Sequence, residues 1–297
     1  MRSKFLKIIL LGAYRMLRSV ATRVLPQEYV NPRSFTVNMN SSSEVSQEQV
    51  DRVWSDVWSE EVAVTRREMF SNRLFVEGYS VFKKYIPKNT ATILDIGSGS
   101  GRYGIRFAED FPDSVVYLTD ITDNSLAIIA RSIESIGVKN AIVKKEDMFS
   151  LSFEDSSFDV VFCDVVIQHV AHPEDALREM LRVLRPGGRL IVSAVNQWNF
   201  HTFMKYTLGL LGKPYRYGYE KSYSSRELAT LVHKCNGDIV ARDGFYVAYG
   251  IFRLREIHGS FGMVGKVLNR LVTRIDRFTR RFLSRHFGFE ILCVATK

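Results

Sequence analysis

Five short apolar runs rich in β-branched and aromatic residues recur between Ala91 and Asn196, each separated from the next by a stretch with helical spacing. They read "ATILDIG", "SVVYLTD", "AIVKKED", "FDVVFCD" and "GRLIVSAV". Strands that alternate with helices are joined by crossovers, and crossovers build a parallel sheet with helices on both faces. The expected class is therefore α/β and doubly wound. Two later runs, around "ARDGFYVAYGIF" and "FEILCVATK", predict two more strands, and Ser224 with Glu227 forms a capping box that opens a helix before them. Residues 47 to 86 carry helical patterns, preceded by the polar linker "NMNSSSEVSQEQ". "RPGG", Arg185 to Gly188, predicts a turn before the fifth strand.

The loop after the first strand, "ILDIGSGSGRYG", holds two overlapping glycine motifs. From Gly99 it spells G-x-G-x-x-G, ending at Gly104, a dinucleotide frame in which a helix N-terminus receives pyrophosphate. From Asp95 it spells an acid followed by Gly97, Gly99 and Gly101. A carboxylate repels phosphate and attracts a cation, so the second frame fits S-adenosylmethionine, which carries a sulfonium and an ammonium and no phosphate. The glycines then let the backbone approach the cofactor. Asp120, closing the second strand, suits two ribose hydroxyls because a carboxylate accepts several hydrogen bonds. Asp147, after the third strand, suits an adenine amino group, with Met148 packing on the ring.

The motifs "ILDIGSGSG", "YLTDIT", "EDMFSLSFEDSSFDVVFCD", "IQHV" and "LREMLRVLRPGGRLIVS" resemble, in order and spacing, the class I S-adenosylmethionine-dependent methyltransferases of the type 11 kind. The resemblance implies a Rossmann-like, seven-stranded sheet, parallel with one antiparallel edge strand, behind a helical N-terminal cap. It also implies that Asp95, Gly97, Ser98, Gly99 and Gly101 line the methionine part of the cofactor, Asp120 with Ile121 the ribose, and Asp147 with Met148 the adenine. Asp164, ending the fourth strand, completes the expected cofactor set.

The acceptor is written less plainly. After the fourth strand the chain reads "CDVVIQHV", without the Asn or Asp, Pro-Pro and aromatic run of methyltransferases that act on bases. The ending "HV" resembles quinone-biosynthesis methyltransferases of the catechol type, but their metal-holding Glu positions are Val165 and Gln168 here, and hard cations want carboxylates. No metal is expected. His169 is the candidate general base, since imidazole titrates near neutrality; the competing reading is that it caps the next loop beside Pro173. Trp54, Trp58 and the aromatic segment 197–223 suggest a lid over an apolar acceptor, with Asn196, His201, Tyr215, Tyr217 and Tyr219 as polar contacts.

The net charge of +9 sits in two places. Residues 1–30 hold six Lys/Arg and one Glu, and residues 252–285 hold nine Lys/Arg against Glu256 and Asp276. Near the N-terminus Lys4, Lys7, Arg15 and Arg18 share one helical side and Phe5, Ile9, Ala13, Met16 and Val20 another. In "VGKVLNRLVTRIDRFTRRFLSR", Val264, Val267, Leu268, Leu271, Val272, Ile275, Phe278 and Phe282 occupy an arc of roughly 160° at helical spacing. Lys266, Arg270, Arg274, Arg277, Arg280 and Arg281 cover the other side. Such helices suit an anionic membrane surface; packing of the apolar side on the protein is the alternative, and RNA the rival polyanion. No run is long enough to span a bilayer. Cys163, Cys235 and Cys293 are widely spaced, as in a reduced, intracellular protein.

The expected organisation is a basic segment and linker over 1–44 and a methyltransferase domain over 45–297. The latter divides into a cap (45–90), a cofactor core (91–196), a lid (197–223) and a basic insertion (252–285). The expected activity is methyl transfer from S-adenosylmethionine to oxygen of a small, lipid-like or glycan-linked acceptor, in the cytoplasm with peripheral membrane contact; a mitochondrial address is the alternative. An NAD-dependent oxidoreductase, an RNA methyltransferase and a non-catalytic adaptor are the rival functions.

Overall fold

A computed structural model describes residues 46–58, 65–210, 220–251, 261–279 and 282–297. The basic segment 1–44, Tyr215, Tyr217, Tyr219, Arg280 and Arg281 lie outside them.

Seven strands form one sheet in the order β3-β2-β1-β4-β5-β7-β6. They are β1 (Thr92–Ile96), β2 (Val115–Asp120), β3 (Ala141–Lys145), β4 (Phe158–Cys163), β5 (Leu184–Val195), β6 (Asp238–Phe245) and β7 (Glu290–Thr296). β1 to β5 pair in parallel, and β7 runs antiparallel to both β5 and β6. The single reversed strand thus sits one place in from the edge, with β6 outside it. That placement matters for the site, because reversal brings the first residue of β7 to the carboxyl end of β5, where Val195 pairs with Glu290.

The helices between strands are α4 (Arg102–Asp110), α5 (Asp123–Ile136), α6 (Pro173–Val183), α7 (Phe200–Leu210), α8 (Ser225–Lys234), α9 (Phe261–Phe278) and α10 (Phe282–Phe287). Ahead of β1 stand α1 (Gln47–Val57), α2 (Arg66–Phe70) and α3 (Arg73–Phe82). The capping box of α8 forms as the sequence predicts, Ser224 Oγ accepting from the Glu227 N–H and Glu227 Oε2 from the Ser224 N–H. Two expectations shift. "RPGG" lies within the span of β5 rather than before it, but Arg185 to Gly188 bulge between the Leu184 and Arg189 pairings with β4, and Gly187 turns to φ +75°. β6 ends at Phe245, where Tyr246 turns to φ +55° and breaks the strand.

Alternation of side chains divides the core into two layers. On one face Phe82, Tyr103, Phe107, Phe162 and Phe245 interlock, mostly edge to face, with Phe82 about 5 Å from Phe162 and from Tyr103. On the other, Leu94, Val161, Leu177, Met180, Leu190 and Leu228 close under α6 and α8. Each fully buried side chain of this size contributes about 1.5–3 kcal/mol. All three cysteines are buried and free. The rigid sheet therefore fixes the strand ends on which the site is built.

Candidate functional site

The carboxyl ends of β1, β2 and β4 and the start of β7 open into one cavity of about 390 Å3, with the segment after β3 along one side. This is the size of a small-molecule site. Of the residues expected to bind cofactor, Asp95, Gly97, Ser98, Gly99, Asp120, Ile121, Asp147, Met148 and Asp164 all line it. Gly101 does not; it is the N-cap of α4 and donates its N–H to the Ser98 carbonyl at 2.8 Å.

The loop after β1 takes left-handed φ at Gly97, Gly99 and Gly101. At Gly99, with φ +55°, a side chain is excluded twice, because a Cβ would also stand 2.5 Å from the Trp58 ring. Gly104 answers the question of the two frames. A Cβ there would lie 2.7 Å from Asp95 Oδ2, and that oxygen accepts the Gly104 N–H at 3.1 Å. The third glycine of the dinucleotide frame is thus used to bring α4 against the acid that defines the other frame.

Asp120 holds the loop from the neighbouring strand. Its Oδ2 accepts the Gly99 N–H at 3.0 Å, and its Oδ1 accepts the N–H and hydroxyl of Thr122 at 3.0 and 2.9 Å. Three of its roughly four acceptor sites are occupied before a ligand arrives. Asp147 is exposed beyond β3, with Oδ1 accepting the Phe149 N–H at 2.9 Å, and Met148 beside it is half-buried.

The rest of the edge is more acidic than the sequence motifs suggest. Asp164 Oδ1 accepts from Ser193 Oγ at 2.5 Å, and Ser193 Oγ accepts the Val165 N–H at 3.0 Å. Val165 has φ +58°, rare for a β-branched residue and a mark of strain held by its surroundings. Glu290 is buried, lines the same cavity and hydrogen-bonds Asp164. In sheet order five carboxyls follow one another: Asp147, Asp120, Asp95, Asp164, Glu290. Burial, with the charge of Asp164, pushes Asp95 up to about 8. Burial raises Asp164 to about 6, against the hydrogen bonds from Ser193 and Glu290. Burial and then Asp164 drive Glu290 well above the usual carboxylate range. Arg102, in the cavity wall, opposes the last two.

His169 is buried in the cavity wall, edge-on to Trp54 with ring centres 4.7 Å apart. Gln168 Oε1 accepts the Val195 N–H at 2.6 Å, which leaves its amide nitrogen as the donor to His169 Nε2 at 3.2 Å. His169 Nε2 is thereby the acceptor, and the imidazole proton resides on Nδ1. Gln168, at a position where the metal-dependent enzymes carry Glu, here ties the loop to β5. Among the described residues no group of three His, Cys, Asp or Glu is placed to hold a metal ion.

The lid residues divide. Trp54 and Trp58 line the cavity, as do His201 and Glu220. Asn196 is not available to a ligand: its amide donates to the His286 and Gly288 carbonyls and its Oδ1 accepts the Trp198 N–H. A buried ion pair, Lys205 Nζ to Glu220 Oε1 at 2.7 Å, ties α7 to the segment entering α8. Sequence reasoning missed Tyr249, Phe289 and Glu290. His201, Tyr249 and Phe289 form an aromatic wall with ring centres 3.9–5.1 Å apart. The signal for Glu290 was present in "FEILCVAT", a single charge in an otherwise apolar strand.

These residues fit S-adenosylmethionine. The glycine loop offers close backbone approach, and an acid-rich wall with one facing arginine disfavours a phosphate and favours a ligand of net positive charge.

Comparison with known proteins agrees. Residues 87–213 match the family model described as a methyltransferase domain. The ubiquinone/menaquinone biosynthesis C-methyltransferase UbiE of Ectopseudomonas mendocina is 42% identical over 102 residues, covering 34% of this chain and 40% of that protein. Its counterpart in Pseudomonas fluorescens strain Pf0-1 is 37% identical over 125 residues, covering 41% and 46%. The match thus spans less than half the length of these relatives. In fold, the chain is similar to a possible histamine N-methyltransferase of Thermotoga maritima, with TM-score 0.55 at 17% identity over 84% of this chain and 99% of that one. It is similar too to the [4+2]-cyclase SpnF, with TM-score 0.51 at 16% identity over 95% and 94%. Over residues 87–213 the chain is thus similar to methyltransferase domains, and its fold is that of S-adenosylmethionine-dependent methyltransferases.

Proposed function

We propose that the chain is an enzyme that transfers a methyl group from S-adenosylmethionine to a small, lipid-like acceptor. The observation that carries the reading is the row of carboxyls on the sheet's carboxyl edge, meeting a glycine loop in one cavity. In this reading Asp95, Gly97, Ser98 and Gly99 hold the methionine part, Asp120 and Ile121 the ribose, Asp147 and Met148 the adenine, and Gly101 sets α4 behind them. The bound cofactor supplies an electrophilic methyl group on sulfonium. The chain's own contribution is to exclude water with Trp54, Trp58 and Phe289 and to orient the acceptor, which is where positioning gains most. His169 stands edge-on to Trp54 in the wall, and its role in this scheme is to hold or accept a proton. In this scheme 45–90 is a cap, 91–196 the cofactor core and 197–223 the lid.

The acceptor in this reading bears a hydroxyl, and methylation is on oxygen. The relatives named as C-methyltransferases of quinone biosynthesis make a quinol carbon the other recipient. Calorimetry with S-adenosylmethionine and with NAD tests the first step, and heat with NAD alone ends the reading. Incubation with methyl-labelled cofactor and lipid, quinone or glycan extracts then identifies the product, whose methyl proton shift separates oxygen from carbon.

A second observation favours work at an anionic lipid surface. α9 turns Gly265 and Asp276 inward, while Met263, Val264, Val267, Leu268, Leu271 and Phe278 stand exposed, Phe278 at 79%. Lys266, Arg270, Arg274 and Arg277 flank this apolar face and share a groove with Arg73. An exposed apolar stripe beside a basic one suits an interface of hydrocarbon and anionic headgroups. Among the described residues no helix is long and apolar enough to cross a membrane. Flotation with phosphatidylglycerol vesicles is expected at low salt and with phosphatidylcholine vesicles is not; Met263→Ser with Phe278→Ser weakens it. A salt-sensitive shift with RNA and no flotation favours RNA instead.

A further inference from the structure

Glu290 lies outside every cofactor assignment, and it is paired with Asp164, the last residue of the expected cofactor set. The expected adenine, ribose and methionine contacts follow β3, β2 and β1, and the next carboxyls in sheet order are Asp164 after β4 and Glu290 at the start of β7. Glu290 is 3% exposed and lines the cavity, and apart from the Asp164 carboxyl its Oε2 has no hydrogen-bond partner among the described residues. A buried carboxyl oxygen without a donor is costly, and native proteins rarely keep one without a use. Around it stand the Phe289 and Tyr249 rings, Arg102 and Tyr103 from α4, Asp95 from β1 and, through Asp164, Ser193 from β5. Such a place is apolar in its walls and polar at one point.

Resting on the methyltransferase reading, we infer that the Asp164–Glu290 pair receives the acceptor's hydroxyl, Glu290 taking its hydrogen bond and the pair taking its proton. The pair shares one proton and carries one negative charge before the acceptor arrives. When the acceptor O–H bond breaks, the electron pair stays on the acceptor oxygen and a second carboxyl O–H bond forms, leaving the pair neutral. Asp164, raised to about 6, ionises close enough to neutrality for this exchange. Arg102, in the cavity wall, favours the ionised form of the pair by its positive charge. The acceptor class is therefore a hydroxyl-bearing aromatic or lipid alcohol rather than a ketone or an ether.

Matched probes test this with cofactor binding measured alongside. Calorimetry of S-adenosylmethionine on wild type, Glu290→Gln and Glu290→Met is expected to give equal heats. If wild type binds no cofactor, the methyltransferase reading fails and this inference with it. With cofactor bound, saturation-transfer NMR compares para-hexylphenol with its methyl ether. Wild type and Glu290→Gln, which keeps an acceptor oxygen, are expected to favour the phenol by about tenfold, one strong hydrogen bond's worth; Glu290→Met is expected to lose the preference. In Glu290→Gln the infrared absorption of protonated carboxyls at neutral pH is expected to lose the pair's contribution, the band of Asp95 remaining. If Glu290→Met does not fold, Glu290→Leu is read instead, with the same loss of preference expected. An intact phenol preference in the folded variant, or none in a wild type that binds cofactor, overturns the inference.

Discussion

Asp159 and Asp95 occupy neighbouring strands at opposite ends of one sheet, and their surroundings treat them in opposite ways. Asp159, at the start of β4, is partly buried, yet hydrogen bonds from Arg185 and from the Ala91 and Thr92 N–H groups hold its carboxyl below the usual range. Asp110 is held down by Lys83, Tyr79 and Arg106 against its burial, and Glu179 chiefly by Arg182, each at the C-terminal turn of a helix that returns to the same end. At the carboxyl end, Asp95, Asp164 and Glu290 are all raised. Where charges are satisfied the structure gains stability; where they are held together without enough donors it stores an affinity for whatever brings the donors.

The sharpest break of this contrast is Gly99→Val. Left-handed backbone and the Trp58 ring both refuse the side chain, so S-adenosylmethionine affinity by calorimetry is expected to fall on the order of 100-fold or more. Asp159→Ala works at the other end. It strips the Ala91 and Thr92 N–H groups of their acceptor and is expected to cost about 2 kcal/mol in urea unfolding while leaving cofactor affinity unchanged. A variant that weakened both equally would abolish the distinction between the two ends. Asp95→Asn is expected to weaken cofactor binding about tenfold without lowering the Tm of the ligand-free protein, because the amide oxygen still accepts the Gly104 N–H and no buried charge is needed.

The pH dependence separates the ends as well. Asp95 is raised in the fold, so its contribution to ligand-free stability is full at acid pH below its unfolded value and is lost as pH rises towards about 8. Asp159 is lowered, so its contribution is present above the unfolded value and lost only as pH falls through its folded one. Cofactor affinity is expected to rise with pH up to about 8 as Asp95 ionises, and Asp95→Asn flattens that rise. The smallest effect is that of His169→Ala, with cofactor affinity within about twofold of wild type; turnover that is also unchanged would remove His169 from the chemistry.

Most of the fold could be read from local pattern. The alternation of β-rich runs and helical stretches predicts the parallel strands and their crossovers, and the capping box predicts the start of α8 within a residue. The four sequence-assigned acids, Asp95, Asp120, Asp147 and Asp164, and the glycines of the first loop follow strand ends, where chain order alone brings them to one edge. Glu290, Tyr249 and Phe289 were harder, because they come from the last part of the chain and reach the site only through the reversal of β7.

The apolar arc of α9 shows the same limit from another side. Its amphipathic spacing is plain in the sequence, but spacing does not say which side meets the protein. The tertiary structure turns Gly265 and Asp276 inward, half-buries Val272 and leaves Met263, Leu271 and Phe278 outside.

What the sequence determined by itself, then, was periodicity, the loop's glycine requirement and the acids that end parallel strands, since these depend on neighbours a few residues away. What only the tertiary structure decided was the sharing of one cavity by residues nearly two hundred positions apart, the tautomer of His169 set by Gln168, and the weakened acidity of Asp95, Asp164 and Glu290. Those properties arise from burial and from the approach of like charges across strands, and no local stretch of chain contains either.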